Sequence, residues 1–336
     1  MTDSPALLVE VTRGDTIESR HSGAVAIADV EGRILFQAGD VETPVFPRSA
    51  IKPLQALPLI ESGAADAFGV DEIELALSCA SHSGELSHVT PVGSWLGRMG
   101  LDATALGCGT HWPSNEEAAR ALARTGAQPS ALHNNCSGKH TGMLCACLHR
   151  GDDLATYLAF DHPAQRGWID VIGEFGGLDP LKLPRAIDGC SIPTLAMPTT
   201  ALARAFARFA SPRAFSAKRQ AAVARVQRAM AAAPFFVAGS DRFCTLAMEA
   251  TDGALLVKTG AEGVYIGAVP KEGLGFALKI TDGATRASQI AIAALVRRAL
   301  GAEHKISRAL EPLATAKIET RKGLQVGVVR AAGALA

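Results

Sequence analysis

The chain has 336 residues, long enough for one large mixed domain or two packed ones with a sizeable core. Its 33 basic and 33 acidic residues cancel, which removes the broad electrostatic attraction that nucleic-acid backbones and anionic membranes rely on and points to a small-molecule partner. Asp3 stands before a short apolar stretch where a secretory signal would begin basic and run longer, and no later run is long enough to span a bilayer. The expected location is the cytoplasm, where thiols stay reduced, so the seven cysteines are read as buried, metal-binding or reactive groups rather than as a disulfide framework.

Three apolar runs, Leu7–Val11, Ala24–Ala28 and Ile34–Phe36, predict antiparallel strands, the last two joined by a hairpin turn at Glu31-Gly32. After Ser49 the apolar spacing becomes helical, at 71–80, 115–124, 142–150, 165–175, 200–209 and 216–232. Strand patterns return at 254–257, 264–269 and 274–280, followed by a helix over 286–300 and a strand over 324–329. Strands, then helices, then strands predict an α+β protein. Its antiparallel sheet, flanked by helices, comes from residues 1–48 and 250–330, with a helical lobe from 49–249 beside it in a single domain of residues 1–336. The Ala/Arg-rich stretch 201–228 reads as two amphipathic helices, since a neutral chain is a poor nucleic-acid binder.

The first chemical signal is Ser49-Ala50-Ile51-Lys52. On a helix, residues three apart share a face, so the spacing brings a hydroxyl beside an amine, and a neutral lysine can take the proton of a serine nucleophile. Such a lysine needs burial or a second cation to lose its charge. Alone the motif is weak, because about one SxxK is expected by chance in a chain of this size; taken alone, Ser49 as a helix cap and Lys52 as a first-turn surface charge is the favoured reading. Lys258-Thr259-Gly260 at the end of an apolar strand and Ser81-His82-Ser83-Gly84-Glu85 after a helix change that balance. The order SxxK, middle serine, KTG is the pattern of penicillin-recognising serine enzymes. Two pairs, Ser49 with Lys52 and Ser81 with Lys258, are then expected around one cavity, with Gly260 letting a ligand lie close to the strand edge.

A second cluster is His133-Asn134-Asn135-Cys136-Ser137-Gly138-Lys139-His140, with Asp188-Gly189-Cys190 downstream. Thiolates and imidazoles suit zinc, although this is no zinc-finger spacing. The remaining five cysteines are read as small buried residues. His133, His140 and His82 receive no chemical role.

Together RSAIKP, ASHSGE, HNNCSGKHTGML, DGCSIPT, GSDRFCT and KTGAEGVY resemble the asparaginase family typified by the inducible rhizobial enzyme, over nearly the whole chain from about residue 9 to 327. The resemblance implies a fold like that of serine β-lactamases, a homodimer and hydrolysis of L-asparagine to L-aspartate and ammonia. It implies that Ser49 with Lys52 and Ser81 with Lys258 are the catalytic pairs, and that Cys136, Lys139 and Cys190 bind zinc. Two further roles follow from chemistry: Arg48 suits a substrate carboxylate and Asp188 its ammonium, unless they form a structural ion pair at the rim. Ser191 departs from the motif, which frequently has glycine there, and the loop around Ser211–Ser216 is expected to be short.

Two other classes compete. A penicillin-interacting acyl hydrolase would keep the fold, but the middle motif here is Ser-His-Ser rather than Ser-Asp-Asn. A non-catalytic amino-acid or zinc-binding protein would have little use for two Ser–Lys pairs.

Overall fold

The computed structural model describes residues 4–336; Asp3, on which the reading of the N-terminus turns, lies outside them. Strand β1 (Ala6–Arg13) turns at Gly14-Asp15 into β2 (Thr16–Ala28), far longer than its apolar run. The first half of β2 is polar and largely exposed, so it has no apolar signature, and pairing with β1 extends it. β3 (Ile34–Ala38) follows the Gly32 turn and pairs with the second half of β2. A small hairpin of β4 (Arg185–Ile187) and β5 (Pro193–Leu195), absent from the sequence prediction, stands apart.

The main sheet is completed by β6 (Leu256–Thr259), β7 (Val264–Val269), β8 (Leu274–Ile280), β9 (Thr315–Glu319) and β10 (Gln325–Ala331). Its order is β6-β7-β8-β2-β1-β10-β9, antiparallel throughout, so both chain ends feed one sheet as expected. Every residue of β7 is buried, as a strand covered on both faces must be. The helix Thr199–Ala210 meets Gly275, while Ile292 of the helix Thr285–Leu300 meets Gly267, whose strand partner is Phe276. Residues 275 and 276 point opposite ways, which puts the two helices on opposite faces. The α+β class and helix-flanked antiparallel sheet expected from sequence are observed.

The helical segment covers one sheet face with Thr199–Ala210 and borders β6 through the turn at 48–51. Its helix Glu72–Ser78 starts with a capping box in which Asp71 accepts the Glu74 amide at 2.8 Å; such caps contribute about 1 kcal/mol. Arg98 grips the Glu74 carboxylate with two bonds of 2.7 Å, tying in the helix Leu86–Arg98, whose internal Pro91 hides its periodicity in sequence. Among the described residues no helix is long and apolar enough to cross a membrane.

Candidate active site

Residues 48–51 form one 3-10 turn that continues into a short α-helix at Lys52, where Pro53 is tolerated because first-turn amides lack partners. Arg48 is held at φ +52°, an unusual conformation for a non-glycine residue directly before Ser49. Lys52 is fully buried, and its amine donates to Ala80 O, to Ser81 Oγ at 3.1 Å and to Asn135 O at 3.3 Å. The hydroxyl that meets Lys52 is therefore that of Ser81, and Ser49 Oγ, partly exposed, has no hydrogen-bond partner among the described residues.

Lys258 is also fully buried, on β6, and donates to Thr259 O at 2.9 Å rather than to Ser81. Burial, and then the neighbouring Lys52, bring its amine down to about 7. Gly260 does permit a close approach, but of the protein itself: a Cβ there would lie 2.4 Å from Pro47 O. The strand end and the Ser49 turn are thus in direct contact.

Ser81 lies on the non-regular stretch that follows Glu72–Ser78, and its amide donates to Val237 O at 3.0 Å. Glu85, to which the sequence reading gives no role, clamps this loop: it accepts from Ser83 Oγ at 2.5 Å, from Ser240 N at 2.9 Å and from Ser240 Oγ at 2.7 Å. Burial would raise its carboxyl, yet these donors hold it below the usual range. Both partners sit in quoted motifs, but only the fold shows that ASHSGE and GSDRFCT meet.

The helix Ser137–Arg150 begins five residues before its apolar periodicity, at the Asn135-Cys136 turn. Asn134 Oδ1 accepts the Cys136 amide at 2.8 Å. Gly138 lets this helix cross Glu72–Ser78 closely, since a Cβ would lie 2.4 Å from Leu77 O. A Gly138→Ala protein is expected to lose about 1–3 kcal/mol of stability, because backbone cannot move aside as a side chain can; urea unfolding with an unchanged midpoint would refute this.

Cys136, Lys139 and Cys190 converge, all buried. Lys139 donates to Cys190 Sγ at 3.0 Å, and Cys136 Sγ donates to Asn135 Oδ1 at 3.1 Å. The interaction with Cys190, and then the charges of Lys52 and Lys139, keep the Cys136 thiol well below its ordinary range, whereas the interaction with Cys136 and burial push Cys190 up. Burial works against charge on Lys139, but the two sulfurs outweigh it and raise the amine. No group of three or more His, Cys, Asp or Glu among the described residues is arranged for a metal; two buried sulfurs, one of them bonded by a buried amine, nonetheless make a donor set that suits zinc. His133 accepts from Ser130 N at 3.0 Å and His140 meets Tyr157 OH at 2.7 Å, so neither joins the trio. The other five cysteines are buried, and burial lifts the thiols of Cys79, Cys108 and Cys145 to about 12 and Cys147 to about 11.

Arg48 and Asp188 pair with each other, Nε to Oδ1 at 2.5 Å. Burial would raise the Asp188 carboxyl, but Lys139 and then the Arg48 guanidinium hold it low. Three residues on, Ser191 sits at φ +73°. That conformation explains why glycine suits the position, and Ser191→Gly is expected to raise stability by about 0.5–1 kcal/mol after the extra freedom of the unfolded chain is subtracted. A lower thermal midpoint for the variant would contradict it.

A model of the L-asparaginase II family matches residues 9–331. No curated protein matches the chain. Among solved structures it is similar to a beta-lactamase candidate from Bacteroides dorei DSM 17855, at 13% identity over 77% of this chain and 84% of that one, with a TM-score of 0.41. It is also similar to a beta-lactamase from Mycobacterium bovis, at 16% identity over 86% and 93% of the two chains, again with a TM-score of 0.41.

Proposed function

The chain belongs to the L-asparaginase II family, an asparaginase-type amidohydrolase, and from that premise we propose that it hydrolyses L-asparagine to L-aspartate and ammonia by serine–lysine chemistry. The observation that carries the mechanism is the pair of buried lysines, one bonded to a serine and the other brought near neutrality. Ser49 is the favoured nucleophile, because it alone of the two serines is partly open to solvent. Its oxygen attacks the side-chain amide carbon while its proton passes to a lysine amine, with Ser81 as relay to Lys52 or with Lys258 as acceptor. The tetrahedral intermediate collapses with the C–N bond breaking, and the amine nitrogen takes a proton and leaves as ammonia. Water then attacks the aspartyl ester, releasing L-aspartate and the serine hydroxyl.

The developing oxyanion needs amide donors. The Gly260 amide is committed to Val264 O at 2.8 Å and the Ala50 amide to Pro47 O at 3.0 Å, which leaves the amide of Ser49 as the turn's candidate. Arg48 and Asp188 would open their pairing to take the α-carboxylate and α-ammonium, a swap that keeps each charge partnered. Cys136, Lys139 and Cys190 would hold zinc, which when bound supplies positive charge beside the site. Purified protein is expected to release ammonia from asparagine faster than from glutamine. Absence of ammonia with both amides, before and after added zinc, would end this reading.

A further inference from the structure

The mechanism above gives His82 no step, yet the residue is fully buried next to the serine that Lys52 holds. Its ring leaves one arrangement of hydrogens. Gly84 N–H donates to Nδ1 at 3.2 Å, and since a backbone amide can only donate, Nδ1 carries the lone pair. The neutral ring then has its hydrogen on Nε2, which faces Ser137 Oγ at 2.9 Å. Ser137 in turn gives its hydrogen to Leu132 O at 3.0 Å. Moving the ring hydrogen to Nδ1 would set two donors against each other, and turning the Ser137 hydroxyl to Nε2 would leave Leu132 O facing a lone pair.

The ring is clamped from its faces as well. It stacks on His88 with centroids 5.0 Å apart and planes 9° from parallel, and His88 stacks on Phe235 at 4.6 Å. Burial first, then the electrostatic influence of His88 and Lys52, hold the His82 imidazole well below its ordinary range, which suits a ring that must keep one nitrogen bare. His88, Ser137 and Phe235 belong to three different helices, whereas Ser81 itself sits in a segment without regular structure.

We propose that His82 is a positioning residue: through the chain Gly84, His82, Ser137, Leu132 it sets the Ser81 hydroxyl in register with the Lys52 amine. This deepens the hydrolysis reading and rests on it for the kinetic readout only. Full-length His82→Leu is expected to lose roughly 100-fold in kcat, the size of effect that a misplacement of about 1 Å produces, with KM within about threefold of wild type. His82→Gln, whose amide can still donate to Ser137, should stay within about tenfold of wild type, and Ser137→Ala should fall between the two. The double variant His82→Leu with Ser137→Ala should be no worse than His82→Leu, because one chain is broken once. Histidine 15N NMR of wild type should show a neutral His82 with its hydrogen on Nε2, and a crystal structure of His82→Leu, or of Ser137→Ala if the former does not fold, should show Ser81 Oγ beyond hydrogen-bond reach of Lys52. A glutamine variant as slow as the leucine one at equal Tm would make His82 a proton-transfer group and overturn the proposal. So would a hydrogen on Nδ1, or a Ser81–Lys52 contact that the variants leave intact. The NMR and structural readouts need no turnover, so wild type that releases no ammonia would sink the hydrolysis reading while these still decide the role of His82.

Discussion

Lys258→Met is expected to lower kcat/KM for asparagine by roughly a thousandfold or more while making the protein more stable at neutral pH. The two effects share one cause. Lys258 is fully buried, and burial together with Lys52 brings its amine from an ordinary 10.5 to about 7. A neutral amine at physiological pH can accept a proton, which an ordinary lysine cannot. If that form does the work, wild-type kcat/KM rises with pH through about 7 and levels off above it.

Stability follows the same titration. Between about 7 and 10.5 the unfolded chain binds a proton on this lysine that the folded chain lacks, so stability rises with pH across that window. Below about 7 the folded protein holds a buried ammonium and the full penalty applies. Methionine fills similar space without the penalty, so the advantage of the variant in Tm should be largest below about 7 and shrink towards 10.5. Ammonia release and thermal melts across this range check both halves. A flat pH–rate profile around 7, or a Met variant that is active, removes Lys258 from the chemistry.

The second large effect separates the serines. Ser49→Ala should lower kcat by roughly ten-thousandfold and Ser81→Ala by about a hundredfold, since one loses the covalent step and the other a proton relay. The asymmetry comes from their settings: Ser81 is buried with its oxygen already accepting from Lys52, whereas Ser49 is partly open at a turn whose preceding residue is strained. Acid quench during turnover followed by peptide mass spectrometry should find the aspartyl ester on the Ser49 peptide. An adduct on Ser81 would exchange the two roles, and full activity in both variants would sink the serine mechanism.

Much of the architecture was legible because periodicity is local. The strands Val264–Val269 and Leu274–Ile280 match their apolar runs, and Thr199–Ala210 and Ala217–Ala232 lie within a residue of theirs. What escaped had a local reason: the polar half of β2, the proline inside Leu86–Arg98, and the exposed edge strand β9, which shows no apolar alternation. Family membership too was written in the ordered motifs rather than in any one of them.

The sequence by itself determined which groups could do chemistry: two serines, two lysines and a cysteine–lysine–cysteine set, each in a turn or at an element's end. Only the tertiary structure decided who meets whom. Lys52 lies three residues from Ser49 yet turns its amine to Ser81 Oγ, whose loop follows the helix that crosses closely at Gly138. The drop of Lys258 towards neutrality is likewise invisible in sequence. Desolvation and the field of Lys52 act through space between residues 206 positions apart, and both exist only once the sheet edge has closed on the turn.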